Sequence, residues 1–455
     1  MIADPNLLHA LDQPRVTRVR PGLFLAGDTA GVAIPVEMNP EAQDGRRWAF
    51  VVVHRDGGRE LLAKLREIKA ADGSITRFNS PHLTPTESDF QNGWYCKHAL
   101  KFIQGENVDP KAVVERTLRF IQSRLWFPPD IPGVHETILC FALTTYIPGL
   151  PSAPYLHFNA PKGCGKSTAI STVSSIARAP ITTANGTPAS VFRMLNTIGG
   201  TLLYDEAESL QSGETRDREL RGLLLAGHKP GSMWLRCRAI KDNWTPEEYH
   251  VFGPKVLAGI DQLDSVLGSR CITIQMVRRP LDAKTLEPID TTDLRDDIHS
   301  MALAHVFDIV DQISTPQLDA VNRDLDVWNP IVAIANWIES KGLSGFKDRV
   351  LAYRDYLLEQ QDEDEDERRA IDILTVFLEL VKTGQNRVTI TTVLQYLENR
   401  FGDRWRGWNP REVGQHVTSL GFTAKRSGGK RLYRLVESQI RKTADSRGLP
   451  LPQDS

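Results

Sequence analysis

A lysine and a serine at the end of a glycine-containing turn carry the chemistry that this sequence shows most clearly. The turn is Ala160-Pro161-Lys162-Gly163-Cys164-Gly165-Lys166-Ser167-Thr168. Small residues let backbone N–H groups close around phosphates, the start of a helix adds its positive dipole end, and Lys166 neutralises the β and γ oxygens. Ser167 offers a hydroxyl to Mg²⁺. Alanine stands at position 160, where the strict P-loop pattern has its first glycine, and the stretch predicts a binding site for ATP.

A strand before this turn and a helix after it would position the phosphate-binding residues. Residues 155–159 are predicted as an apolar strand, and residues 168–178 as an amphipathic helix. A glycine-rich strand-to-helix turn that binds nothing is the alternative interpretation. A second motif further along the chain speaks against it.

That second motif is a pair of carboxylates, Asp205 and Glu206, at the end of the mostly apolar stretch 201–204. A buried strand would deliver both side chains at its C-terminal edge, beside the P-loop. Asp205 would then hold the Mg²⁺ shell, and Glu206 would orient and activate the attacking water. An acidic pair after an apolar strand is weak evidence alone, but after a P-loop it predicts ATP hydrolysis.

A basic β-hairpin is predicted after a charged helix at 215–227. Residues 232–238 and 249–252 form its strands, around a polar turn at 241–243. Its basic residues are Arg236, Arg238 and Lys241. They would contact a phosphate backbone in a pore, or they belong to a solvated hairpin without a nucleic-acid partner. The sequence leaves both interpretations open.

The segment after this hairpin resembles a known family. Residues 255–260 are predicted as a buried strand, followed by a Leu-x-x-x-Leu-x-Ser-Arg segment that ends at Arg270 and by a strand at 272–274. This order of parts resembles AAA+ ATPases of the helicase clade, including minichromosome-maintenance and superfamily-three helicases. Residues 252–260 and 328–335 look like helicase-like ATPases of phages, plasmids and integrative elements, often described as primase/helicase proteins.

The resemblance covers roughly residues 150–433 and carries several implications. It implies an α/β fold, with an AAA+ P-loop core of parallel sheet flanked by helices and with a helical lid. It implies that Arg270 acts in trans on the ATP of a neighbouring subunit, within a ring that is a hexamer. A salt-bridged structural arginine is the alternative for Arg270. The end of the 255–260 strand lacks the expected sensor Asn or Thr, and Asp261 is the nearest polar residue.

The C-terminal part predicts a DNA contact. Helix, short strand, two helices and a hairpin follow one another from residue 370, which is the order of a winged helix, a helix-turn-helix variant. The last hairpin carries Lys425, Arg426, Lys430 and Arg431, and no acidic residue occurs between positions 421 and 435. These side chains would contact the DNA phosphate backbone; a winged helix used for protein contacts is the alternative.

The sequence thus divides into seven predicted parts. They are a β-rich N-terminal domain of unknown role (1–105), with a helix at 59–68; a helical collar (106–150); the AAA+ core (151–285); a helical lid (286–360), with one helix at 292–313; an acidic linker (361–369); a winged-helix domain (370–437); and a flexible tail (438–455).

Composition narrows the class of protein. The net charge of -2 excludes a uniformly basic nucleic-acid coat, so DNA contacts must come from local patches. The five cysteines never form a C-x-x-C pair, which argues for reduced thiols rather than a disulfide frame or a zinc site. The most apolar stretch, residues 137–150, is too short to span a bilayer. We expect a cytoplasmic protein without a membrane partner.

These patterns together predict an ATP-dependent DNA helicase or translocase acting on single-stranded or forked DNA. It would be a ring-shaped replicative helicase or replication initiator of a mobile genetic element. The alternative is a non-unwinding AAA+ switch, such as a DNA-bound regulator, a loader or a defence ATPase. A small-molecule P-loop kinase is disfavoured, because it needs neither a basic hairpin, nor a trans arginine, nor a winged helix.

Overall fold

The structure, a computed structural model, describes most of the chain. The described residues are 16–19, 22–38, 45–70, 73–79, 84–184, 186–211, 215–240, 243–280, 287, 290–318, 322–360, 365–402, 405–427, 430–449 and 451. The chain forms two compact units, Met1–Tyr356 and Leu357–Ser455. Among the described helices, none combines the length and the apolar character that crossing a membrane requires.

Two small sheets come first among the described residues of the first unit. Their strands are β1 (Val16–Val19), β2 (Leu23–Ala26), β3 (Thr29–Glu37), β4 (Arg46–His54), β5 (Arg59–Leu62), β6 (Glu67–Lys69) and β7 (Ile75–Phe78). The antiparallel order β2-β3-β4-β5 forms one sheet, and β1-β7-β6 forms the other. The helix predicted at 59–68 is wrong, because Arg59–Leu62 pairs with β4 and places Leu62 opposite Phe50. Pairing with a neighbouring strand outweighs local helix preference here.

Four helices lead to the central sheet. They are α1 (Glu87–Asn92), α2 (Cys96–Ile103), α3 (Pro110–Arg124) and α4 (Val134–Thr144). The sequence explains where α3 begins, since the Asp109 side chain accepts hydrogen bonds from the Lys111 and Ala112 amides and Pro110 occupies the first turn. Helix α4 is buried on nearly all sides. Helices α3 and α4 lie within residues 106–150, the stretch predicted as a helical collar.

A five-stranded parallel sheet forms the centre of the first unit. Its elements are β8 (Tyr155–Asn159), α5 (Lys166–Ile176), β9 (Pro180–Thr183), α6 (Pro188–Ile198), β10 (Thr201–Tyr204), a 3-10 turn (Ala207–Gln211), α7 (Thr215–Ala226), β11 (Met233–Ile240), β12 (Asn243–His250), β13 (Lys255–Gly259), α8 (Ser265–Gly268) and β14 (Cys271–Gln275). The strand order is β14-β8-β13-β10-β9. All residues of β8, β10 and β13 are buried, which fits their mostly apolar sequences. Helices flank this mixed α/β core.

Helices complete the first unit and reach its boundary. They are α9 (Leu294–Ala304), α10 (Val306–Ser314), α11 (Asn322–Ser340) and α12 (Phe346–Gln360). The single helix predicted at 292–313 is instead two helices, because the backbone leaves the helical conformation at His305, with φ of -114°. Helix α11 contains Pro330 in its interior.

In its described residues, the second unit packs four helices around a three-stranded antiparallel sheet. Its elements are α13 (Glu365–Lys382), β15 (Arg387–Val388), α14 (Ile390–Phe401), α15 (Pro410–Ser419), β16 (Ala424–Ser427), β17 (Lys430–Arg434) and α16 (Glu437–Asp445), with sheet order β15-β17-β16. Two predicted boundaries change. Helix α13 already begins at Glu365, within the predicted acidic linker, and residues 361–364 lie outside the described part. Helix α16 folds much of the predicted tail, because Ile440 and Ala444 are buried in the core of this unit.

Candidate nucleotide-binding site

The predicted P-loop lies between the buried strand β8 and helix α5. Gly163 and Gly165 have positive φ values of 84° and 90°, a conformation that glycine adopts without strain. The Lys166 Nζ donates a hydrogen bond to the Ala160 carbonyl oxygen at 2.7 Å, so the lysine folds over its own loop. Pro161, Lys162, Gly163, Ser167 and Thr168 are exposed, whereas Cys164, Gly165 and Lys166 are half-buried. The loop amides and the start of α5 therefore face an open surface at the C-terminal edge of the sheet.

The predicted acidic pair, Asp205 and Glu206, follows β10 at the same C-terminal edge of the sheet. The register places Tyr204 opposite Leu257, and Leu257 opposite His157, so Asp205 and Glu206 lie level with the last two residues of β8. The Asp205 amide donates to the Thr183 carbonyl at 3.1 Å. The Asp205 Oδ1 accepts the Glu206 amide at 3.0 Å, and the Glu206 side chain is exposed. Glu206 has a φ of 67°, a left-handed conformation that costs a non-glycine residue about 1–2 kcal/mol.

One strand separates the P-loop strand from the acidic strand. Strand β13 pairs with β8 on one side and with β10 on the other. Two strand spacings amount to about 10 Å, which leaves room between the loop and the carboxylates for phosphates, a cation and a water molecule. The sequence predicted this strand, at residues 255–260, but not its position between β8 and β10.

Glu208 is a residue of this edge that the sequence interpretation missed. It lies in the 3-10 turn after the acidic pair, and its Oε2 accepts a hydrogen bond from the Ile260 amide at 3.3 Å. A Cβ added at Gly259 would lie 3.0 Å from the same carboxylate oxygen. Glu208 thus holds the acidic turn against the end of β13. Acidic residues are common in turns, so the presence of Glu208 in the sequence Asp-Glu-x-Glu did not predict this contact.

The residues at this edge fit Mg²⁺ and a nucleotide. The Ser167 hydroxyl and the Asp205 carboxylate are hard oxygen donors, which suit Mg²⁺. Lys166 makes no ion pair with a carboxylate within the described part of the chain; its hydrogen bond is to a backbone carbonyl, which a phosphate oxygen would replace. Bound there, Mg²⁺ would neutralise charge on the phosphate oxygens.

Arg270 lies at the opposite edge of the sheet. Its carbonyl accepts the amide of Tyr155, the first residue of β8, at 3.1 Å, so it is about 15 Å along the strand from the P-loop. Its guanidinium is half-buried and donates to the Val266 carbonyl. Burial, followed by the nearby positive charge of Arg323, lowers the pKa of Arg270. No carboxylate of the described residues forms an ion pair with it, which does not favour the salt-bridged alternative.

The predicted hairpin is present as β11 and β12, paired from Met233–His250 to Ile240–Asn243. Arg236 is held against α7, because its Nη2 lies 2.6 Å from the Glu219 carboxylate and its guanidinium lies 5.4 Å from the Trp234 ring. The side chain of Arg238 and the whole of Lys241 lie outside the described residues. Of the three predicted basic contacts, the described one is therefore already paired.

The side chain of Lys255 holds the segments on either side of the hairpin. It is the first residue of β13 and is fully buried. Its Nζ donates to the carbonyls of Val251 and Gly253, both at 2.8 Å, and to that of Gly227 at 3.5 Å. The ammonium group also lies 4.9 Å from the ring of Tyr155. Burial lowers the pKa of Lys255 to about 7.

The predicted basic residues of the second unit lie on β16 and β17. Lys425, Arg426 and Arg431 are exposed, and the side chain of Lys430 lies outside the described part. The register places Arg426 directly opposite Arg431. Like charges at opposed positions of a sheet repel each other. This small hairpin therefore presents concentrated positive charge.

His98 lies close to two aspartates that are distant in sequence. Its Nε2 is 3.4 Å from Asp293, and its Nδ1 is 3.3 Å from Asp296. These three residues form a group with metal-ligand spacing among the described residues. A carboxylate faces each ring nitrogen, however, so the arrangement resembles an imidazole between two acids more than an open coordination site.

Comparison with known proteins does not assign the chain to a family. No protein-family model matches the chain, and no curated protein matches it. Structurally similar chains include two apo A-form structures of the C-terminal region of NrS-1. They are 11% and 10% identical to this chain, and in each case the match covers 85% of this chain and 94% of the other with a TM-score of 0.36. A similarity this weak supports no conclusion about activity.

Proposed function

We propose that this chain is an ATPase of the AAA+ class that uses Mg²⁺ and acts on DNA as a ring-shaped helicase or translocase. The observation that carries the proposal is the meeting of two motifs at one sheet edge. The loop that carries Lys166 and Ser167 follows β8, and Asp205 and Glu206 follow β10, level with the last two residues of β8. Loop amides and Lys166 would bind the phosphates, Ser167 and Asp205 would hold Mg²⁺, and Glu206 would orient the attacking water.

The two lysines of the loop test this assignment. Lys166→Ala removes the positive charge on the phosphates and should lower ATP turnover by at least about a hundredfold. Lys162→Ala is the matched control, because Lys162 is exposed and only its backbone is assigned to the loop. Equal turnover in the two variants would refute the nucleotide site.

The location of Arg270 supports assembly into a ring. A guanidinium at the N-terminal edge of the sheet cannot reach phosphates at the C-terminal edge of the same chain, because the length of the strand lies between them. An interface that joins opposite edges of two copies would bring Arg270 to the neighbour's ATP. Such head-to-tail contacts close into rings, and a hexamer is the ring that the sequence resemblance implies.

Mixing two inactive variants tests the trans arrangement. Arg270→Ala should abolish turnover without weakening nucleotide binding, and Glu206→Gln should do the same. When the two variants are mixed in equal amounts, about a quarter of the sites combine an intact Glu206 with an intact Arg270 from the neighbouring subunit. About a quarter of the wild-type rate should therefore return. Arg323→Ala is the control for general loss of charge near Arg270. Full activity of Arg270→Ala alone would refute the trans role.

The proposed DNA contact rests on the second unit. Its order of elements and its exposed, mutually opposed arginines fit a winged helix whose wing lies on the phosphate backbone. Forked-DNA unwinding driven by ATP, together with stimulation of turnover by DNA, tests the helicase function.

A second candidate function is a non-unwinding ATPase switch that remodels a protein partner. The ion pair between Arg236 and Glu219 favours it, because it withdraws a hairpin cation from contact with a central strand. An assembled, ATPase-active sample that fails to unwind forked DNA would support this candidate over the helicase.

A further inference from the structure

A cavity lies between the N-terminal sheet and the edge of the central sheet, away from the candidate nucleotide site. Its walls include Trp48, Trp94, Arg178, Ile181, Met194 and His299. The lining is mostly apolar and aromatic, with Arg178 as its one cation among the described residues. An apolar cavity with a few converging polar groups is the usual form of a small-molecule site.

Arg178 is buried without an anionic partner. Its exposed fraction is 6%, and its Nε donates to the Thr145 carbonyl at 3.1 Å. Within the described part of the chain, its two terminal nitrogens make no hydrogen bond and no carboxylate pairs with it. Nη2 would lie 3.1 Å from a Cβ at Gly199, which also lines the cavity, so the tip of the guanidinium is at the cavity wall. Burial lowers the pKa of Arg178 to about 10.

An unpaired buried guanidinium is costly, because taking a charge out of water is not offset by an opposite charge. Of the described lining residues, Asp89 alone carries a carboxylate. Its Oδ2 already accepts hydrogen bonds from the amide and the hydroxyl of Thr86, both at 2.7 Å. A ligand with its own anionic group would supply what Arg178 lacks.

Two further nitrogens in the cavity wall lack partners. The rings of Trp94 and His299 stack with a centroid distance of 5.3 Å and an interplanar angle of 5°. Both residues are nearly fully buried, and Trp94 Nε1 and His299 Nε2 have no hydrogen-bond partner. Burial and the charges of Arg178 and Arg295 hold the pKa of His299 well below its usual value, so the imidazole is neutral at pH 7.

The size of the cavity limits the ligand. The space open to the centre of a water molecule is about 90 Å³, whereas one water needs about 10–15 Å³. A ring with a carboxylate fits in this space. We propose that this cavity binds a small carboxylate with a flat, apolar body, whose carboxylate pairs with Arg178 and whose body lies against the tryptophans, Ile181 and Met194.

Calorimetric titration and thermal shift of the full chain with benzoate test the proposal. Benzamide is the neutral probe of the same shape, and inorganic phosphate, titrated into the Lys166→Ala variant so that the phosphate loop does not bind it, is the anion without an apolar body. Benzoate should bind saturably and at least about tenfold more tightly than either, because benzamide cannot form the charge-assisted hydrogen bond and phosphate has no apolar surface to bury. Equal affinity for benzoate and benzamide would overturn the pairing with Arg178.

Arg178 itself is not substituted in the test, because its contact with Thr145 contributes to the fold. Variants at Met194 test the location of the site instead. Met194 is 45% exposed at the cavity, so substitution should leave the fold intact. Met194→Glu places a competing carboxylate there and should weaken benzoate binding at least about tenfold, whereas Met194→Gln should change it about twofold or less. Unchanged binding in Met194→Glu would refute the site. Loss of benzoate binding in Lys166→Ala would instead place the anion at the phosphate loop and also refute it.

Discussion

The left-handed backbone of Glu206 affects stability independently of the water-activating role that we propose for its carboxylate. With φ of 67°, any residue that has a Cβ is strained here by about 1–2 kcal/mol. Glycine avoids this strain but loses about 0.5–1 kcal/mol more backbone entropy on folding than alanine does. The difference predicts that Glu206→Gly is more stable than Glu206→Ala by about 0.5–1 kcal/mol. In an ordinary helical conformation the sign would be reversed.

A set of three variants measures this effect. Glu206→Gln keeps both the size of the side chain and the strain, so its stability should match that of the wild-type chain within about 0.5 kcal/mol, since the side chain is exposed. Glu206→Ala and Glu206→Gly differ from each other in the Cβ alone. Differential scanning calorimetry should show the unfolding transition of the glycine variant about 1–2 °C above that of the alanine variant.

ATP turnover in the same three variants gives the second measurement. All three lack the carboxylate that is assigned to the attacking water, so all three should bind ATP and fail to hydrolyse it. A glycine variant that is less stable than the alanine variant would show that Glu206 is not held in the left-handed conformation. Near-normal hydrolysis by Glu206→Gln would show that another group activates the water.

Lys255, Asp205 and the opposed arginines of β16 and β17 each give a further measurable outcome. Burial lowers the pKa of Lys255 to about 7 from the 10.5 of an exposed lysine; the unfolded chain therefore holds more protons between these values. The unfolding free energy of the wild-type chain should rise relative to Lys255→Met by up to about 1.4 kcal/mol per pH unit from pH 7 to 10.5 and stay level below pH 7. A flat difference measured by urea unfolding would contradict the burial of its charge. Asp205→Asn should raise the Mg²⁺ concentration for half-maximal turnover at least about tenfold, and an unchanged Mg²⁺ titration would remove Asp205 from the metal shell. Arg426→Ala with Arg431→Ala should lower the slope of log affinity for DNA against log salt by about 2, while Lys442→Ala, on α16, should not; equal slopes would exclude these arginines from the DNA interface.

Local patterns accounted for the residues at the candidate nucleotide site. The P-loop and the acidic pair each lie within a few consecutive residues, and the strand–turn–helix around Lys166 appears where the sequence predicted it. The spatial arrangement of the two motifs could not be predicted from these local patterns. That β13 lies between β8 and β10 depends on the order of strands, which residues more distant in sequence decide.

The wrong predictions share the same physical cause. Residues 59–62 form a strand because β4 supplies their hydrogen-bonding partners, and Ile440 is buried because helices earlier in the second unit cover it. The sequence did not predict a site at Arg178, because the other residues that line its cavity include ones from the N-terminal sheet, from α6 and from α9. Contacts between distant segments decided each case.

The ammonium group of Lys255 determines how the hairpin can transmit motion. It ties the end of α7 and the segment after β12 to the first residue of β13, the strand that pairs with β8 before the P-loop and with β10 before the acidic pair. We expect a hairpin held in this way to turn together with the sheet. Each of its strands is about 25 Å long, so a rotation of about 10° at β13 would carry the far end through about 4 Å. Small rotations of β13, the strand between β8 and β10, would therefore become larger displacements at the far end of the hairpin.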